Sequence, residues 1–304
     1  MFPYTNDCVT YQYGTPGLTW EQKDKVYPFN CSYSPCEETP QDFKHECIAA
    51  AAMVDTFAYQ AAKTPRLLLS GGLDSQVFAL ALIEAGFEVN PITFRFTHNL
   101  NQHEIVYVEA FAKRHGLEVE YVDIDIPEWV YSSEANELRR DSGCTQLEVL
   151  PHLKVMQHVW DTGGIPLLGG GDPYIAKTGI GEWAYHQFEA ILTWTRLAHA
   201  RCQFAAPNFF QTTPELFLSM FLAEENMKVI RGEVQGKISN RTAKYDLYHR
   251  VWPELERRPK FNGAEGLTAL YKHVRLRDDW KLPFCEDVWT CEVNEFMRRM
   301  LPCL

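Results

Sequence analysis

The stretch Leu67-Leu68-Leu69-Ser70-Gly71-Gly72-Leu73-Asp74-Ser75 runs an apolar segment straight into two glycines, flanked by hydroxyls and one carboxylate. An amphipathic stretch from Gln76 to Ala85 follows and reads as a helix. A strand-to-helix turn of this composition commits the chain to an α/β arrangement and gives it a place to hold an anion. Glycines let the backbone come close to a ligand. The N–H groups opening the helix then face that ligand, and the helix dipole adds to the attraction. Ser70 and Ser75 are further donors, and Asp74 suits a divalent cation set against phosphate oxygens. The lysine-terminated G-x-x-x-x-G-K-[ST] pattern is absent, so an ordinary P-loop is excluded.

The surrounding sequence has the matching rhythm. An alanine-rich stretch from Asp42 to Lys63 reads as a helix, Arg66–Leu69 as a strand and Gln76–Ala85 as a helix closed by Gly86. Then come a strand over Glu88–Arg95, a helix over Gln102–His115 ended by Gly116, and a strand over Glu118–Ile126. Leu147–Asp161 reads as a helix and Ile165–Leu168 as a strand leading into Gly169-Gly170-Gly171-Asp172. Apolar strands separated by helices predict a parallel sheet with helices on both faces. Such sheets bind ligands beyond the carboxyl ends of their strands, where both glycine-rich turns fall. From Trp183 to about Leu255 the pattern predicts a mainly helical region, with Trp183, Phe188, Trp194, Phe209, Phe217 and Phe221 as core. The expected organisation is an extension of short strands and loops over 1–42, the α/β core over 43–180, and the helical part over 181–304.

Composition narrows the partners. A net charge of −11, from 29 basic against 40 acidic residues, argues against nucleic acid as a main partner, because neutralising phosphates needs a basic surface. No apolar run reaches membrane-spanning length and Met1–Thr10 is not a signal peptide, so the expectation is a cytoplasmic protein without a membrane partner. The nine cysteines are irregularly spaced with no C-x-x-C, which predicts free, mostly buried thiols instead of a zinc, Fe–S or disulfide framework. A homo-oligomer is left open.

Asp74 and Asp172 follow separate strands and should meet at one sheet edge, where two carboxylates suit a Mg²⁺ ion bridging phosphates. Thr93 and Phe94, or Phe96, end the neighbouring strand and are candidates for a base pocket. Arg257-Arg258-Pro259-Lys260-Phe261-Asn262-Gly263 joins cations to a flexible loop, and Lys260 is placed to neutralise charge on phosphorus.

The turn at 70–75 resembles the S-G-G-x-D-S signature of the PP-loop ATP pyrophosphatases, which split ATP into AMP and pyrophosphate. A wider resemblance, to the synthetase part of asparagine synthetase and the β-lactam-forming synthetases, rests on four stretches in order: 67–75, L-L-G-G-G-D at 167–172, A-P-N-F-F-Q-T-T-P-E-L at 206–216 and R-R-P-K-F-N-G-A-E-G at 257–266. It implies an adenine nucleotide alpha hydrolase-like fold with ATP and Mg²⁺ as ligands. It also implies an ATP and pyrophosphate site of Leu68, Ser70, Gly71, Gly72, Leu73, Asp74, Ser75, Thr93, Phe94, Gly170 and Gly171, metal ligands Asp74 and Asp172, and catalytic roles for Lys260 and Asp74. The implied reaction activates a small-molecule carboxylate as an acyl-adenylate and passes it to a nitrogen donor, ammonia or an amine.

Two departures qualify that reading. Residue 2 is Phe2 instead of a cysteine nucleophile, and only about 45 residues precede the synthetase-like part, so no glutaminase is expected. The second loop lacks both glutamates of the family's G-E-G-x-D-E, which weakens asparagine itself as the product and favours another acceptor. The alternatives are a nucleotide- or tRNA-base-modifying PP-loop enzyme, sulfur transfer included, and a non-catalytic ATP-binding homologue.

Overall fold

In the computed structural model, residues 6–13, 29–234, 239–258, 265–275 and 287–301 are described. Strands β1 (Val9–Tyr13) and β2 (Phe29–Tyr33) pair antiparallel and lead to helix α1 (Phe43–Gln60). The α/β core runs β3 (Thr64–Leu68), α2 (Leu73–Glu84), β4 (Pro91–Phe96), α3 (Gln102–His115) and β5 (Glu120–Ile124), then α4 (Ile126–Trp129), α5 (Ser133–Ser142), α6 (Leu150–Asp161) and β6 (Gly164–Leu167). Beyond it lie β7 (Tyr174–Lys177), β8 (Trp183–Phe188), α7 (Thr193–Ala200), α8 (Pro214–Phe221), α9 (Glu224–Ile230), α10 (Ala243–Val251), α11 (Thr268–Arg275), β9 (Val288–Glu292) and α12 (Val293–Met300).

The four core strands are parallel, in the order β5-β4-β3-β6. Side chains alternate across a strand, and burial follows that alternation. Leu67 and Leu69 join Ile165 and Leu167 in one apolar cluster with α1 and α2, whereas Leu68 joins Ile92, Phe94 and Phe96 in a second cluster with α6. Both faces of the sheet are therefore covered, as the apolar strands require. Fully burying a leucine or phenylalanine in either cluster stabilises by roughly 1.5–3 kcal/mol. Helix α2 is apolar almost all round and is buried between β3, α1 and α10, the environment such a helix demands.

From β3 the chain steps outward through β4 to β5, then returns to lay β6 on the other side of β3. The reversal opens a crevice at the carboxyl ends of β3 and β6, where sheets of this kind bind ligands. The turn after β3 and the glycine loop after β6 flank it.

Three sequence expectations are corrected. Helix α2 begins at Leu73 instead of Gln76, so Asp74 and Ser75 belong to its first turn and not to the preceding loop. The strand expected over Glu118–Ile126 ends at Ile124, and Ile126 opens α4, which α5 follows, capped by Ser132 and closed by left-handed Gly143. The stretch from Trp183 is not helical at its start. Here β7, β8 and β9 form an antiparallel sheet in which Ala184, Tyr185 and Gln187 are buried and Phe188 is 41% exposed. Trp183 and Phe188, five apart, do not repeat on one helical face, and pairing with β7 on one side and β9 on the other holds this stretch as a strand. Phe209, Phe217 and Phe221 are fully buried, as expected. The seven described cysteines are free, and six of them are buried.

Candidate active site

The turn after β3 is braced from within. The Ser70 amide donates to Ser75 Oγ at 3.0 Å, the Gly72 amide donates to Ser70 Oγ at 3.1 Å, and the two hydroxyls lie 3.1 Å apart. Both serines, expected as ligand donors, thus hold the shape of the turn. Gly72 caps α2 without any side-chain hydrogen bond to the first-turn amides. A helix start needs partners for its free N–H groups, and no capping side chain supplies them here. Gly71 is compelled by packing: a Cβ there would lie 2.8–2.9 Å from the backbone and Cβ of Glu104 on α3.

The second loop presses against the first. A Cβ on Gly169 would sit 2.6 Å from the Ser75 Cα and 2.8 Å from its nitrogen. Gly171 has φ +91° and would carry a Cβ 2.8 Å from that of Asn208. Gly170 accepts the Phe210 amide through its carbonyl at 3.0 Å. Behind Gly171, Gln211 receives the Tyr11 hydroxyl at 2.7 Å and donates to Gln187 at 2.9 Å, so the β1–β2 hairpin supports the loop from below. Because only backbone meets backbone at Gly169, Gly169→Ala is expected to cost about 1–3 kcal/mol, the usual penalty of overpacking. A urea titration should show the lowered midpoint, and an unchanged midpoint would mean the two loops are not in contact.

Asp74 and Asp172 converge on one cation that the sequence reading missed. Lys244 Nζ, from α10, donates to both Asp74 carboxylate oxygens at 3.1 Å and to Asp172 Oδ2 at 2.8 Å. The Tyr248 hydroxyl, one helical turn on, donates to Asp74 Oδ1 at 2.7 Å. The Lys244 side chain is 8% exposed, and those of Asp74 and Asp172 are 29% and 26% exposed. Burial pushes the Asp74 carboxyl above the ordinary aspartate range, against the pull of Lys244 and with the help of Asp172. Burial also opposes the Lys244 charge, but the two carboxylates outweigh it and hold this ammonium above the usual lysine range. Tyr248 is pushed up by burial and by the same carboxylates.

Two carboxylates sharing one ammonium give these three side chains together one net negative charge. That residue set fits Mg²⁺, which commonly takes one or two carboxylates and completes its shell with phosphate oxygens and water. Among the described residues no cluster of three or more acidic, His or Cys side chains forms a cage for a metal, so the phosphates would have to complete the shell.

Leu68, Ser70, Thr93, Phe94, His152 and Val155 line a cavity of about 10 Å³ beside the turn. Thr93 and Phe94, the base-pocket candidates, are among its lining residues, whereas Phe96 is stacked behind Phe94, 5.1 Å between ring centres. The volume admits about one water, so a purine enters only if Phe94 or His152 moves. Burial lowers the His152 ring to about 4, and it packs edge-on to Phe94 at 4.8 Å. Leu73 is buried at the start of α2. Lys260 lies outside the described residues.

A family model for the queuosine biosynthesis protein QueC matches residues 66–143. The matched segment is about a quarter of the chain and runs from β3 through α5, including the glycine turn but not the second loop. It supports the PP-loop ATP pyrophosphatase superfamily, and with it ATP as ligand. No match to a curated protein was found for the chain. No helix among the described residues is long and apolar enough to cross a membrane.

Proposed function

We propose that the chain is an ATP pyrophosphatase that adenylates an oxygen on a small substrate, releases pyrophosphate, and so readies the attached carbon for a nitrogen nucleophile. The observation that carries this reading is the convergence of Asp74, Asp172 and Lys244 at the crevice where β3 and β6 part. A phosphate chain laid there meets the free amides of α2 on one side and the carboxylate pair on the other. In this reading Mg²⁺ would be held by Asp74 and Asp172 and would neutralise charge on the phosphate oxygens. The α2 amides orient the leaving pyrophosphate, and Lys244 keeps both carboxylates aimed at the crevice. Positioning and charge stabilisation supply most of the rate in phosphoryl and adenylyl transfer.

The acceptor oxygen separates two versions of this chemistry. A carboxylate would make the chain asparagine synthetase-like, while an oxygen on a nucleotide or base would make it a nucleotide-modifying enzyme. The match to a queuosine biosynthesis family supports the second version more than the first. The two missing glutamates of the second loop, replaced by Gly170 and Tyr174, point the same way.

The test supplies Mg-ATP with ammonium and, in separate reactions, a nucleoside pool or an amino-acid pool. AMP and pyrophosphate in equal amounts, dependent on the nucleoside pool, are expected. ADP and orthophosphate would overturn the reading, and dependence on amino acids would return the acceptor to a carboxylate.

A further inference from the structure

Arg258, in the basic stretch whose role the sequence reading gave to Lys260 alone, is a half-buried cation with Asp74 among its charged neighbours. Its guanidinium carbon stands 4.9 Å from the centre of the Tyr107 ring on α3. On α10, Tyr245 carries the Lys244 ammonium over its ring at 5.5 Å. The electrostatic neighbours of Arg258 include Glu256, Tyr107, Tyr245 and Asp74, the last in the first turn of α2. One nitrogen, Nη2, is buried and has no hydrogen-bond partner. A guanidinium cannot shed its charge by deprotonation in a protein, and leaving a charged donor buried and unpaired costs more than leaving a neutral one. A ligand oxygen would supply the acceptor that this donor lacks.

From this geometry we infer that Arg258 binds the pyrophosphate end of the nucleotide, with Nη2 donating to a phosphate oxygen opposite the α2 amides. The inference rests on the adenylation reading. In that step the substrate oxygen bonds to the innermost phosphorus of ATP. The bond from that phosphorus to the bridging oxygen breaks, its electron pair passes to the bridging oxygen, and pyrophosphate leaves. Negative charge therefore grows on the group that Arg258 touches. A planar fork of donors suits phosphate better than a lysine ammonium does. Gly72 caps α2 with no side-chain hydrogen bond to its first amides, which would face the same phosphate.

The experiment titrates inorganic pyrophosphate into the full chain at fixed Mg²⁺ by calorimetry, with adenosine titrated separately. Arg258→Met is expected to weaken pyrophosphate roughly ten- to hundredfold, the usual worth of a hydrogen bond to a charged group, and to leave adenosine within about twofold. Arg258→Lys keeps the charge without the fork and should fall between, which guards against a methionine variant that folds poorly. Added guanidinium should restore pyrophosphate release to Arg258→Ala, a rescue that a purely structural role would not give. Unchanged pyrophosphate affinity in Arg258→Met overturns the assignment, and so does a wild-type chain that binds no pyrophosphate. Should wild type bind pyrophosphate through Arg258 yet never cleave ATP, the adenylation reading falls while the anion site stands.

Discussion

Asp74→Asn is expected to lower ATP cleavage by roughly a hundred- to thousandfold, the scale for removing one charge-stabilising group from a reacting centre, while leaving the fold at pH 7 at least as stable as wild type. The two effects have one origin. In the folded chain, burial and the Asp172 carboxylate disfavour the Asp74 charge more than Lys244 favours it, so its carboxyl sits above the ordinary range. A folded-state pKa above the unfolded value makes a contribution that is fully present below the unfolded pKa, about 3.9, and lost as pH rises through the folded one. At neutral pH wild type thus carries a charge its fold resists, and asparagine relieves it while still accepting the Tyr248 hydroxyl. The advantage of Asp74→Asn should shrink as pH falls from 7 toward 4, where wild type takes up its proton. Urea titrations at pH 4, 5.5 and 7 measure this. A variant clearly less stable than wild type at pH 7 would sink the electrostatic account, and one cleaving ATP within tenfold of wild type would remove Asp74 from the chemistry.

That Asp74 was legible in the sequence, and Lys244 was not, follows from where their information lies. The glycine turn is written locally: apolar strand, glycines, hydroxyls and a carboxylate within nine residues. Backbone requirements at Gly71 and Gly169 come from close approach, and only glycine meets them. The same locality made the strand and helix order readable, down to the left-handed Gly116 that ends α3.

Lys244 acquires its meaning from residues 170 and 72 positions away in the chain, a distance over which no local pattern reaches. One trace of it was present. Ala243, Leu247 and Tyr248 form the buried stripe of α10, and Lys244 falls within that stripe instead of on the solvent side. A lysine in an apolar register is buried at a cost unless acids wait for it. The outer strands failed for a similar reason. The partner that fixes β8 as a central strand, β9, enters about a hundred residues later.

Lys244→Met should produce the largest loss of stability among single changes at the site. The substitution keeps the stem but leaves Asp74 and Asp172 facing one another with no cation between them. Removing one partner of a buried ion pair costs about 3–5 kcal/mol, and the partial exposure of both carboxylates places this site near the lower end, about 3 kcal/mol. Wild-type Lys244, held above the usual lysine range by the two acids, keeps its contribution until pH rises beyond about 10.4. The deficit of Lys244→Met should therefore persist across neutral pH. It should narrow in mild acid, where the unpaired carboxylates take up a proton. Asp74→Asn placed on top of Lys244→Met should recover most of the loss, because one carboxylate then remains where two repelled. Millimolar Mg²⁺ should raise the melting temperature of Lys244→Met more than that of wild type, since the divalent ion fills the position the ammonium vacated. A Lys244→Met chain as stable as wild type would mean that the three side chains do not form one charged unit. A melting temperature that Mg²⁺ leaves unmoved would take the metal away from Asp74 and Asp172.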